Sequence, residues 1–173
     1  MEIGLLILRA VVGLLLAAHG AQKLFGVLGG FGVGGTAGYL ESLGLRPGRP
    51  LAIAAGGTEL VGGLLLAVGL FTPLGAALIG ATMLVAALTD HRGKGLWIFN
   101  GGAEYVLTVA SVAIGLAFSG AGRWSVDAAI GWDVAGAFWG VAALAAAFVG
   151  GVGVLVRGRM PIVATPAPAE VQA

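Results

Sequence analysis

The chain has 173 residues, of which 58% are hydrophobic and 10% are charged, whereas a soluble domain has about 25% charged residues. Its mean hydropathy is +1.02, so the composition predicts an integral membrane protein with one compact domain. The net charge of +1 argues against a nucleic-acid partner. The chain has no cysteine, which excludes thiol relays, disulfide exchange and cysteine-ligated clusters.

Five apolar segments are long enough to cross a hydrocarbon core of about 30 Å, which takes about 20 helical residues. In chain order they cover roughly residues 3–25, 51–71, 73–90, 96–119 and 134–156. The pattern therefore predicts an all-α membrane protein. Residues 158–173 are rich in Ala, Pro and Val, a composition that predicts a disordered tail.

The polar loops between these segments contain signals for short helices. In the loop of residues 26–50, a cap-like Thr36 and a terminal Gly44 predict a short helix over 36–43 that lies at the membrane interface. A flexible glycine-rich loop is the alternative. In the loop before the fifth segment, Ser125 or Asp127 is a candidate helix cap.

Basic residues are distributed unequally between the two sides of the predicted membrane protein. The side with the first and third loops and the C-terminus carries seven, and the other side carries two: Lys23, Arg46, Arg49, Arg92, Lys94, Arg157 and Arg159 against Arg9 and Arg123. Because basic loops stay in the cytoplasm, this bias predicts an external N-terminus and a cytoplasmic C-terminus.

The motif Gly-Gly-x-Glu-x-Val occurs twice, and its carboxylates, Glu59 and Glu104, are 45 residues apart. Each Glu follows the predicted start of its span by eight residues, which places it about 12 Å into the membrane. An ionisable group costs several kcal/mol in a bilayer unless it is paired or hydrated, so it marks a functional site. The matched positions also indicate a duplicated helical hairpin.

The first span contributes a polar face at the same level. On a helix, Arg9, Gly13, His19, Gly20 and Lys23 fall within about 120° of arc. The small residues on this face allow a neighbouring helix to approach closely. We therefore expect the face to point into the bundle, with Arg9 nearer the outer side and the other charged groups in the cytoplasmic half.

These residues define a predicted polar layer in the cytoplasmic half of the bundle. Its candidate catalytic residues are Glu59, Glu104 and His19. Its candidate ligand-binding residues are Lys23, Arg9, Gln22, Asn100, His91 and Tyr105. No metal site is predicted, because the sequence contains no helical Glu-x-x-His pair. Three alternatives stay open: a haem between the two histidines, a metal held by histidines and glutamates, and a charge-balanced network that only fixes helix register.

Several short motifs follow one another along residues 5–130. They are Arg9 with Gly13, His19 to Gly26, Glu59 to Leu65, Val68 to Pro73, Met83 with Ala86, His91, Asn100 to Tyr105, and Gly120 to Asp127. Taken together, they resemble the motifs of the DoxX family of small bacterial membrane proteins. The resemblance implies a four-helix transmembrane bundle over residues 1–130 with an interfacial loop at 26–50. Residues 131–157 would add a fifth transmembrane helix.

The resemblance also implies respiratory or redox chemistry at the bacterial inner membrane. Relatives in this family include small subunits of thiosulfate:quinone oxidoreductases, and others are associated with detoxification and oxidative stress. The expected function is thus a membrane subunit of a quinone-linked oxidoreductase or oxidative-stress system, with a quinone as the expected ligand. The expected partners are the lipid bilayer and an oxidoreductase subunit that supplies electrons, and a homo-oligomer is a further expectation. Whether the chain is itself an enzyme stays open.

Two other functions are compatible with the same residues. In one, the chain is a non-enzymatic membrane scaffold or assembly factor, and its charges only hold the helices together. In the other, it is a small proton-coupled transporter, because internal duplication is common among transporters.

Overall fold

The computed structural model of the protein describes residues 2–159. Within this range the chain forms seven α-helices and no β-strand. They are α1 (Glu2–Phe25), α2 (Gly32–Ser42), α3 (Gly48–Val68), α4 (Thr72–Leu88), α5 (Glu104–Ser119), α6 (Val126–Ala129) and α7 (Ala137–Gly158). The predicted all-α membrane fold is confirmed. Gly158, predicted to open the tail, is the last residue of α7, and residues 160–173 lie outside the described part.

Three helices, α1, α3 and α7, are long and apolar enough to cross a membrane. The helices α4 and α5 are also apolar but have 17 and 16 residues. At about 1.5 Å per residue they extend about 26 and 24 Å, a little less than a hydrocarbon core of about 30 Å. Tilt, local bilayer thinning and interfacial anchors accommodate mismatches of this size.

The five long helices run in alternating directions. The start of α7 lies beside the end of α5, because Gly136 N donates to Phe118 O at 2.8 Å. The end of α7 lies beside the start of α3, because Arg46 N donates to Gly158 O at 2.8 Å. We call the end that holds residues 26–47, residues 89–103 and the last turn of α7 the basic end, and the other the opposite end.

The predicted polar face of α1 packs against α3 through glycines. A Cβ atom on Gly13 would lie 2.5 Å from Gly63 O, and one on Gly63 would lie 2.5 Å from Gly13 O. Such distances leave no room for a side chain, so the two backbones are in contact. Arg9, Gly13 and Gly20 are buried on this face, which confirms that it points into the bundle.

The other helices pack around the α1–α3 pair. The apolar core combines residues of α1, α3, α4, α5 and α7, among them Leu16, Leu66, Ile79, Met83, Val109, Ala113 and Ala143. Helix α7 packs extensively on α4 and also touches α5. It is therefore part of the same helical body as the preceding helices.

Two of the short-helix predictions are confirmed. Helix α2 occupies the first loop and begins at Gly32, four residues before the predicted start. Ser125 caps α6, because its Oγ accepts a hydrogen bond from Ala128 N at 3.2 Å.

The predicted start of the fourth span is wrong. Residues 96–103 form a loop with a 3-10 turn at Ile98–Asn100, and α5 begins only at Glu104. Gly101 has a φ of +73° and reverses the chain, and Glu104 N donates to Leu96 O at 2.8 Å across the loop. Glu104 therefore lies at a helix start and not about two turns inside one. The matched depth of Glu59 and Glu104, on which the duplicated hairpin depended, is not present.

Candidate functional site

A buried ion pair joins the two most tightly packed helices near the basic end. Lys23 of α1 donates to Glu59 of α3. The Glu59 side chain is 4% exposed and the Lys23 side chain is 31% exposed. The pair forms because Gly20 and Gly56 bring the two backbones together on either side of it. Lys23 therefore reaches both the buried carboxylate and the surface of the bundle.

A chain of hydrogen bonds orients His19 next to this pair. Gln22 Nε2 donates to Leu28 O at 2.9 Å, and Gln22 Oε1 lies 3.0 Å from His19 Nδ1. Because the Gln22 amide nitrogen already donates to a carbonyl, its oxygen is the acceptor, and His19 Nδ1 carries the proton. In neutral His19, Nε2 is then the ring nitrogen that can accept a hydrogen bond.

Tyr105, in the first turn of α5, completes the group. Its ring lies edge-on to the His19 ring, with centroids 6.2 Å apart. The hydroxyl is buried and has no hydrogen-bond partner among residues 2–159. A buried hydroxyl without a partner is costly and needs an explanation. We call His19, Gln22, Lys23, Glu59 and Tyr105 the polar site.

A groove of about 620 Å³ adjoins the polar site between the end of α1 and α2. Its volume falls in the range of pockets that hold small organic ligands. Gln22 and Lys23 form part of its wall, together with Gly29, Gly30, Phe31, Gly35, Thr36 and Tyr39. The exposed part of Lys23 is therefore accessible from this groove.

Charged residues at the basic end anchor α2 beside the groove. Burial and the neighbouring Asp90 carboxylate raise the pKa of Tyr39 to about 12. Burial alone would raise the pKa of Asp90, but hydrogen bonds from Tyr39 and Lys94 outweigh it and lower that pKa. Lys94 Nζ lies 3.0 Å from Asp90 Oδ1. This cluster joins α2 to the loop that follows α4.

Three other candidates, His91, Asn100 and Glu104, lie in the loop of residues 89–103 or directly after it. Glu104 Oε2 accepts a hydrogen bond from Ile98 N at 3.0 Å, and the carboxylate suits the positive end of α5. His91 Nδ1 lies 2.6 Å from Gly101 O. Asn100 is exposed in the 3-10 turn. Their described contacts hold the loop together and do not reach the polar site.

Arg9 lies in a second polar cluster at the opposite end. It is 1% exposed, and about 21 Å of helix separates it from Lys23. Its Nη1 donates to Ala67 O at 2.6 Å, and its Nη2 donates to Trp124 O. The structure thus does not bring Arg9 to the polar site.

The centre of this second cluster is Asp127, which the sequence suggested only as a helix cap. Its carboxylate accepts hydrogen bonds from Phe71 N at 2.8 Å, Thr72 N at 3.2 Å and Thr72 Oγ1 at 2.9 Å. It therefore caps α4 across the fold, and it holds Phe71 at a φ of +45°, which is rare for a residue other than glycine. In the sequence, the one signal that pointed to Asp127 as more than a local helix cap was its position at the end of the motif from Gly120 to Asp127.

The polar site combines hydrogen-bond donors and acceptors that suit a flat ring with polar substituents. Lys23 and the Tyr105 hydroxyl are donors for carbonyl oxygens, and His19 Nε2 is an acceptor for hydroxyl groups. Glu59 is a carboxyl group that can hold a proton. Within residues 2–159, no group of three His, Asp or Glu side chains is arranged to hold a metal ion.

Comparison with known proteins places this bundle in a family. The DoxX family matches residues 4–92, which is 89 of 173 residues and ends before the predicted limit at 130. A Bacillus subtilis (strain 168) protein named "Putative oxidoreductase CatD" is 32% identical over 115 residues, which cover 66% of this chain and 79% of the relative. An uncharacterized protein of Haemophilus influenzae is 34% identical over 128 residues, which cover 69% of this chain and 85% of the relative. No solved structure matches the chain. The matched residues cover nearly all of α1 and the whole of α2, α3 and α4, with Lys23 and Glu59. The chain is a multi-pass membrane protein that belongs to the DoxX family.

Proposed function

We propose that the chain is a membrane subunit of a quinone-linked oxidoreductase or oxidative-stress system. The polar site holds the head of a quinone-like ring, and the neighbouring groove admits it. The observation that carries this proposal is the buried Tyr105 hydroxyl, which has no partner among residues 2–159 and belongs to a ring that lies edge-on to the His19 ring. A relative named as an oxidoreductase supports the redox assignment.

The proposed site suits both forms of the ligand. Tyr105 and Lys23 donate to the carbonyl oxygens of a quinone, and His19 Nε2 accepts from a hydroxyl of the quinol. Reduction of a quinone to a quinol consumes two electrons and two protons. When Lys23 turns from Glu59 to the ring, Glu59 takes up a proton and delivers it to one quinone oxygen. Water that enters through the groove supplies the second proton, and both electrons come from a partner oxidoreductase subunit.

Changing Tyr105 to phenylalanine tests the proposal directly, because the change removes only the unpartnered hydroxyl. We expect the melting temperature in detergent to stay the same or rise, since the change removes an unsatisfied buried group. Binding of a short-chain benzoquinone, measured by tryptophan fluorescence quenching, should weaken about 5-fold, as expected for the loss of about 1 kcal/mol.

The matched control is Tyr39→Phe, because Tyr39 lines the groove and the neighbouring Asp90 carboxylate helps to raise the pKa of its hydroxyl. This variant should lose stability without a comparable loss of quinone affinity. The proposal is wrong if wild-type protein does not bind the quinone, or if Tyr105→Phe binds it as tightly as the wild type does.

The proposed orientation in the bacterial inner membrane has the basic end in the cytoplasm, because that end carries most of the basic residues. The absence of natural cysteines makes single-cysteine labelling simple. In intact cells, a membrane-impermeant maleimide should label Ala129→Cys at the opposite end but not Ser42→Cys at the basic end. Labelling of Ser42→Cys before the cells are permeabilised would reverse the orientation.

A further inference from the structure

The start of α3 and the end of α7 form a joint at the basic end. Arg46 N donates to Gly158 O at 2.8 Å, and Leu45 pairs with Arg159 as an isolated bridge. Arg159 Nη2 donates to Leu88 O at 2.8 Å, so this side chain caps the end of α4. The joint therefore brings three chain segments together, with their arginines at the basic end.

Three further arginines at the joint, Arg46, Arg49 and Arg157, are exposed. Within residues 2–159 no carboxylate lies within salt-bridge distance of them, since the ion pairs there are Lys23–Glu59 and Lys94–Asp90. The nearby Glu41 carboxylate is bound to Gly48 N at 2.9 Å. The joint thus carries a positive charge that no described side chain neutralises.

An apolar slot of about 90 Å³ opens between α3, α4 and α7 at this joint. Leu45, Leu51, Ala54, Ala81, Val85 and Val154 line it. Arg46 follows Leu45 directly, Arg49 precedes Leu51 by two residues, and Arg157 lies one helical turn after Val154. Each of the three arginines is therefore within three residues of the wall of the slot.

We propose that this joint is a binding site for an anionic phospholipid. The arginines bind the phosphate, for which guanidinium groups are well suited, and the slot holds a short stretch of one acyl chain. Basic pockets between transmembrane helices recognise anionic headgroups in this way. The site is separate from the polar site, and bound lipid adds to the backbone contacts that join the start of α3 to the end of α7.

The test uses the purified full-length protein in detergent, titrated with phosphatidylglycerol, with phosphatidylcholine and with inorganic phosphate. Phosphatidylglycerol should raise the melting temperature, whereas phosphatidylcholine and inorganic phosphate should not. The triple variant R46Q/R49Q/R157Q should bind phosphatidylglycerol about 100-fold more weakly, at about 5-fold for each arginine. The Ala54→Phe variant, which fills the slot without a change of charge, should also bind it more weakly.

Arg123→Gln, which removes an exposed arginine at the opposite end, is the control and should bind the lipid as the wild type does. If the triple variant does not fold, the three single variants are compared with Arg123→Gln instead. Equal stabilisation by phosphatidylcholine overturns the proposal, as does stabilisation by inorganic phosphate alone. An unchanged affinity in the arginine variants also overturns it.

Discussion

Replacing Asp127 with alanine should lower the free energy of unfolding by about 3 kcal/mol. The carboxylate is 3% exposed and accepts three hydrogen bonds, from Phe71 N, Thr72 N and Thr72 Oγ1. The two N–H groups have no partner within α4, because the first N–H groups of a helix never do. Without the carboxylate, the buried Thr72 N–H and hydroxyl and the partly buried Phe71 N–H lose their partner, and an unsatisfied buried group costs about 1–3 kcal/mol.

Arg9 adds to this cost. It is 1% exposed, and its Nη1 lies next to Gly69, whose carbonyl accepts a hydrogen bond from Asp127 N, so the Asp127 carboxylate is the nearby negative charge. Removing the negative charge leaves a buried cation held only by the carbonyls of Ala67 and Trp124. Asp127→Asn should therefore lie between the wild type and Asp127→Ala, because it keeps one acceptor oxygen but loses the charge.

Thermal and urea unfolding in detergent, followed by circular dichroism, measure these changes. The control is Asp133→Asn, which removes an exposed carboxylate six residues later in the chain and should change stability by less than about 0.5 kcal/mol. If Asp127→Ala is no less stable than this control, Asp127 does not hold the start of α4 as the geometry indicates.

Local patterns in the sequence predicted much of this fold. The helical period of α1 correctly placed Arg9 and Gly13 on a buried face, because any side chain at that angle must meet a neighbouring helix. Gly44 was predicted to end the helix in the first loop, and α2 does end at Ser42, two residues before Gly44, which has a φ of +81°. These features depend on residues that are close together in the chain.

Features that depend on contacts between residues far apart in the chain could not be predicted from local patterns. Residues 96–99 are as apolar as a membrane span, yet they form an exposed loop, because hydropathy does not distinguish an interfacial loop from a helix. That loop displaced Glu104 from the predicted depth. The approach of Arg9 to Asp127 joins residues 118 positions apart, and no periodicity links them.

A thermodynamic cycle at the Lys23–Glu59 pair separates a structural role from a functional one. Lys23→Met should lower the free energy of unfolding by about 3 kcal/mol, because it leaves a buried carboxylate without its partner. Glu59→Met should cost less, about 1 kcal/mol, because the Lys23 side chain is 31% exposed and can extend to water.

The double variant K23M/E59M should regain most of the stability, since apolar residues of similar volume often replace a buried ion pair without loss. The coupling energy between the two changes measures the pair itself. If the pair binds a quinone-like ring, the double variant should fold normally in detergent but bind the short-chain benzoquinone at least 10-fold more weakly than the wild type. A stable double variant with wild-type affinity would show that the pair only fixes the register of α1 against α3. The cycle thus distinguishes a structural role of the ion pair from a ligand-binding role. Two methionines can replace the pair in helix packing, but they cannot form its hydrogen bonds to a ligand.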